Sequence, residues 1–130
     1  MTWLLRDTIT ALYPRTPTMP GAEDCGLDAF LEKFHAESTP LVWLGAIAGA
    51  LVFQLTPLFY VYVPLPACLL PTSLRERHAQ RVTATDVYLI RQALFMVKFV
   101  AGLCWGADPK VRAKFALPPL PADPGTWRTR

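Results

Sequence analysis

The sequence predicts a mostly α fold, and three observations carry that expectation. Apolar residues recur at helical spacing over 26–37, where Leu27, Phe30, Leu31 and Phe34 form one stripe. Two long apolar stretches follow, at about 41–63 and 85–106, each long enough for a helix of several turns. No strand alternation survives among the 13 prolines, which also frame short amphipathic helices with extended arms. A length of 130 residues fits a single domain, 1–130, and no internal repeat is visible.

Residues 2–13 (TWLLRDTITALY) read as a short helix with Leu4, Leu5, Thr8, Ala11 and Leu12 near one side. Its early Trp3 suits either a membrane interface or packing on the chain itself. The next three prolines, Pro14, Pro17 and Pro20, fix φ and remove amide donors, so 14–22 is expected to be a proline-rich linker. Asp24 stands where an N-cap for a helix over 26–37 is needed.

From Ser38 to Leu74 there is no Asp, Glu, Lys, Arg or His. A bilayer core asks for about 20 consecutive apolar residues, so this run makes a small helical membrane-associated protein the leading expectation. Pro40 suits a first turn, and Leu41 to Thr56 alone would reach only about 24 Å at 1.5 Å per residue. Continuing through a kink at Pro57 to Val63 would give a transmembrane or buried helix over 41–63. Pro64, Pro66 and Pro71 make 64–73 irregular, and irregular backbone must sit at an interface or against protein. Arg75, Arg77, His78 and Arg81 then form a basic turn. Thr83 and Asp86 stand three apart, like a capping box, ahead of the second apolar helix at 85–106. Asp108-Pro109 starts a short helix, and 117–130 is expected to be an extended C-terminal arm.

Charge is unevenly spread. Residues 1–37 carry Arg6, Arg15 and Lys33 against six carboxylates, whereas 75–130 carry ten Lys and Arg against four. In a membrane protein that excess places the C-terminal side in the cytoplasm, here of a bacterial inner membrane. Arg6 and Asp7 interrupt Trp3–Leu5, so a cleaved signal peptide is not expected. Cys25, Cys68 and Cys104 share no short spacing, which argues for reduced thiols over a disulfide scaffold or metal site.

Two glycine pairs, Gly45 with Gly49 and Gly102 with Gly106, follow the GxxxG pattern that lets helix backbones approach closely. Arg91 and Lys98, seven apart, share one face of the second apolar helix. Together with Arg75, Arg77, His78 and Arg81 they are the candidate contacts for lipid head groups or a partner. A charge at the bilayer centre costs about 2.5–3.5 kcal/mol, so the favoured place for Arg91 and Lys98 is the wet face of an amphipathic helix. One span or a partly immersed hairpin therefore fits better than two full spans. His35 and His78 are the only histidines, and a b-type haem would need two imidazoles facing each other. No HExxH, GxSxG, Walker A or GxGxxG pattern occurs, so no catalytic residue, metal or cofactor is assigned, and no nucleic-acid partner.

The segments DAFLEKFHAESTPL (Asp28 to Leu41) and WGADPKVRAKFALPPLPADPGTWR (Trp105 to Arg128) resemble small accessory subunits of glucose-methanol-choline-type flavin oxidoreductases. The likeness is to the gluconate dehydrogenase small subunit, without its export signal. The resemblance implies that any flavin and its chemistry belong to a larger partner. The leading reading is therefore a non-enzymatic membrane-associated accessory subunit that binds and anchors a catalytic partner. A small soluble all-α homo-oligomer is the second reading, and a haem- or ligand-carrying membrane redox subunit the third.

Overall fold

The computed structural model describes residues 1–122, and every regular element among them is helical. In chain order these are α1 (Thr2–Leu12), α2 (Leu27–Glu37), α3 (Pro40–Leu55), α4 (Pro57–Tyr60), α5 (Thr72–Thr83), α6 (Tyr88–Ala107) and α7 (Pro109–Lys114). Short 3₁₀ turns occupy Ala22–Cys25 and Ala67–Leu69.

The expectation of two long apolar helices is corrected. Among the described residues, only α6 is long and apolar enough to cross a membrane by length and composition. The stretch at 41–63 stops at Leu55, resumes for one turn as α4 and then loses regular structure. Pro57 is the cause, since it has no N–H to give the Phe53 carbonyl four residues back, and its ring crowds that turn. Thr56 closes the end by donating its hydroxyl to the Val52 carbonyl at 2.7 Å. The start follows helix-capping chemistry: the Thr39 side chain accepts from the Val42 amide, and Pro40 takes the first position.

Two further start signals act differently from expectation. Asp24 caps the 3₁₀ turn before α2, accepting from the Gly21 amide, while the N-cap of α2 is Gly26, whose φ of 68° suits glycine. Thr83 belongs to the last turn of α5 and bonds back to Ala79 and Gln80, so it caps nothing ahead of α6. The short helix α7 does start as its sequence indicates, with Asp108 Oδ1 accepting from the amides of Lys110 and Val111.

The core lies where α1, α2 and the first 3₁₀ turn cover one side of the α3/α6 pair. Leu4, Leu5 and Ile9 of α1 meet Ala46, Ile47 and Ala50 of α3 and Val97, Val100 and Ala101 of α6. A second cluster joins Phe53 to Leu94 and Val82. Later residues of α3 thus group with earlier residues of α6, so the two helices run antiparallel. Phe34 and His35 of α2 pack their rings on Trp43, which ties α2 to the first turn of α3. The 14–21 segment is strapped down by Arg15, which pairs with Asp24, and by the Trp105 indole, which donates to the Pro20 carbonyl at 2.9 Å. The expected C-terminal arm is exposed and irregular at 117–122, and its remainder at 123–130 lies outside the described residues.

Candidate functional site: an uncovered apolar face above a polar clamp

One side of α3 is buried, and the other carries Leu41, Leu44, Ala48, Leu51 and Leu55 at alternating steps of three and four, all exposed. Leu58 on α4 extends the line, and Phe59 and Tyr62 stand beside it, 71% and 80% exposed. On α6 the matching outward residues are Tyr88, Phe95, Phe99 and Leu103. Only 28% of the most apolar stretch of α6 is buried within the chain, so it is not the sheltered helix of a closed core. Both helices turn this side away from α1. Leucine and phenylalanine at these exposures form a contiguous patch of the kind that marks an interaction surface.

The two helices approach most closely at Gly49. A methyl group there would collide with the Ala93 carbonyl and lie 2.8 Å from Val97 Cγ2. At Gly45 it would meet only Met96 Cε, at 3.5 Å, an ordinary contact. A Cβ at Gly102 or Gly106 would have no neighbour within 4 Å among the described residues. Of the two glycine pairs, then, one member makes a close backbone approach, and the α6 pair makes none within the chain.

The six candidate contact residues separate into two sets. Arg75, Arg77, His78 and Arg81 lie on a three-turn helix, α5, so the expected basic turn is corrected. Arg75 points inward and bridges Asp7 at 2.6 Å while donating to the Asp7 carbonyl. Arg81 donates to the Tyr60 carbonyl at 2.8 Å, and Arg77 is exposed. His78 is fully buried, its ring against Phe53, with Nε2 2.9 Å from the Phe53 carbonyl oxygen. That carbonyl is the acceptor Pro57 leaves without its helical donor, so His78 supplies the missing hydrogen bond. A carbonyl only accepts, which fixes the proton on Nε2 and leaves Nδ1 as a buried acceptor without a partner among the described residues. These positions remove His78 from the head-group contacts and explain why a histidine sits inside.

Burial lowers the His78 pKa from its ordinary 6.5, against the opposing pull of the Phe53 hydrogen bond. A base held neutral in the fold binds fewer protons than in the unfolded chain. Its contribution is therefore complete above pH 6.5 and is lost as pH falls below that value. Thermal unfolding followed from pH 7.5 to 5 should show a falling midpoint, and His78→Gln should flatten that part of the profile.

Gln54 completes a clamp that sequence reading did not single out. Only 3% exposed, it donates to Asp7 Oδ2 at 2.7 Å and accepts from the Cys68 amide at 2.7 Å. Through Asp7 it joins Arg75, so one network holds α1, the broken end of α3, the 64–71 loop and α5. It is the only carboxamide between Ser38 and Leu74, and an isolated amide in an apolar run was the available signal. Near this network, the Tyr60 hydroxyl meets Thr85 Oγ1 at 2.5 Å.

The side chains of Arg91 and Lys98 have no ion pair or hydrogen bond with other described residues. They flank α6 beside a groove toward α5, Arg91 exposed and Lys98 half-buried. The histidines cannot share one haem iron: His35 stacks at Trp43 and His78 at Phe53, about 15 Å apart along α3. All three cysteines are free, and burial, with Asp108 and Asp24 nearby, pushes the Cys25 thiol up to about 11, far from a reactive thiolate. No group of three or more metal-ligating side chains occurs among the described residues. No family model, curated protein or solved structure matches the chain.

Proposed function

We propose that this chain is a non-enzymatic, membrane-associated accessory subunit that holds a larger catalytic protein at a lipid surface. The uncovered face of Leu41, Leu44, Leu51, Leu55, Phe95 and Phe99 carries the reading. Covering these side chains with acyl chains recovers about 25 cal/mol for each Å² removed from water. On the opposite side, α1 and α2 expose Arg6, Asp28, Glu32 and Lys33, and the Arg6–Asp28 pair spans those two helices. A full crossing would carry these charges to mid-membrane depth at about 2.5–3.5 kcal/mol each. The pair α3/α6 is therefore taken as partly immersed, with α1 and α2 toward water or the partner. Phe59 and Tyr62 then act as interfacial anchors at one end. The excess of Lys and Arg over 75–130 favours the cytoplasmic side, so the C-terminal side is assigned to the cytoplasm of a bacterial inner membrane.

The partner is proposed to be a flavin-dependent oxidoreductase subunit, on the strength of the segments at Asp28–Leu41 and Trp105–Arg128. Fractionation of cells expressing the tagged chain tests both parts. The chain is expected in the membrane fraction, releasable by mild detergent, with a larger flavin-absorbing protein in fixed ratio. The triple variant Leu44→Asp, Leu51→Asp, Phe99→Asp should leave the membrane. A native chain in the soluble fraction would refute the membrane part; a colourless preparation without a second chain would refute the partner.

A further inference from the structure

The groove between α5 and α6 has a different character from the outer face. Thr83, Arg91, Leu94, Phe95 and Lys98 line one hollow of about 210 Å³. A second, of about 250 Å³, adjoins it at Thr83 and Lys98 and continues to Leu12 and Pro14, at the end of α1 and just past it. Two cations without partners among the described residues thus stand over a largely apolar trough. Seven residues separate them, about 10 Å along the helix, and both have flexible stems that can bring their charges to one group. Phe95 belongs at once to this groove and to the exposed face of α6, so trough and face are continuous.

We propose that this groove binds one anionic phospholipid, its phosphate held by Arg91 and Lys98 and an acyl chain along Leu94 and Phe95. The proposal rests on the reading that the outer face meets lipid, and it adds the headgroup charge that the site selects. Charge complementarity sets the occupant: an uncharged chain would leave two cations unanswered at the edge of the bilayer, where basic side chains are drawn to an anionic surface. Glu76 fixes the polarity of the site. It lines the far hollow with Pro14, Gln80 and Lys98, whereas Arg91 lines only the near one. The phosphate therefore belongs at the Arg91 end, where Lys98 also reaches and Glu76 does not.

Purified protein is titrated with vesicles of phosphatidylcholine alone and with vesicles containing added phosphatidylglycerol. The native chain is expected to bind the second about tenfold or more tightly, the effect of two basic contacts. Arg91→Gln with Lys98→Gln should abolish that preference and leave binding to phosphatidylcholine unchanged. Adding Ser73→Lys and Ala84→Lys to this variant restores net charge at exposed positions of α5 and just after it. The preference should stay lost; its return would mean diffuse attraction and overturn the site. Binding to both vesicles without preference also overturns the groove but spares the membrane reading. Failure to bind either sinks both. A midpoint shift with inorganic phosphate, absent in the double variant, would make the occupant a free anion and end the lipid proposal.

Discussion

Gly49→Ala is expected to destabilise the chain by about 3 kcal/mol or more, and Gly49→Leu to prevent folding. Overpacking a tight site costs typically 1–3 kcal/mol when side chains can move aside. Here the added methyl meets the Ala93 backbone carbonyl, which moves only if α6 moves. The comparison substitution is Gly102→Ala, where a methyl group meets nothing within 4 Å among the described residues. Removing a glycine from the interior of a helix should raise stability there by about 0.5–1 kcal/mol. Denaturant unfolding in one mild detergent would read both, and opposite signs are expected. Similar losses at both positions would mean that α3 and α6 do not meet as described.

Gln54→Leu should cost about 2–4 kcal/mol although it makes the apolar run more apolar. The substitution leaves the Cys68 amide without its acceptor and Asp7 Oδ2 without the Gln54 amide, and buried groups stripped of partners each cost about 1–3 kcal/mol. Gln54→Glu should be worse at neutral pH, since it sets a second carboxylate against Asp7. Unfolding midpoints for the native chain and both variants, compared at pH 7 and pH 5, give the check. The Glu variant should recover in part at the lower pH, where its carboxyl can hold a proton and donate. A Leu variant as stable as the native chain would show that the clamp contributes nothing.

Local signals made much of the helical order legible. The stripe of Leu27, Phe30, Leu31 and Phe34 lies in α2 (Leu27–Glu37), Pro40 opens α3, and Asp108 caps α7. These features depend on spacing within a few residues. The end of α3 was harder to place, because whether a helix survives a proline depends on what serves the freed carbonyl. That donor is His78, distant in sequence, and only the tertiary fold brings it to Phe53. The same distance hid the roles of Arg75 and His78, which read as a basic turn until their partners on α1 and α3 are known. Gly45 and Gly49 look alike as a pattern, yet one meets backbone and the other the end of a methionine side chain. The exposed line from Leu41 to Leu58 was written in the sequence as hydrophobicity alone, and only burial tells which side of α3 is left open.

Depth-dependent quenching tests most directly whether lipid covers that open side. A fluorophore is placed in turn at Leu51, at Phe99 and at Lys33, and the labelled protein is bound to vesicles carrying nitroxides on their acyl chains. Strong quenching is expected at Leu51 and Phe99 and little at Lys33, with the reverse order for a water-soluble quencher. Equal access of the water-soluble quencher to all three positions in the presence of vesicles would contradict that expectation.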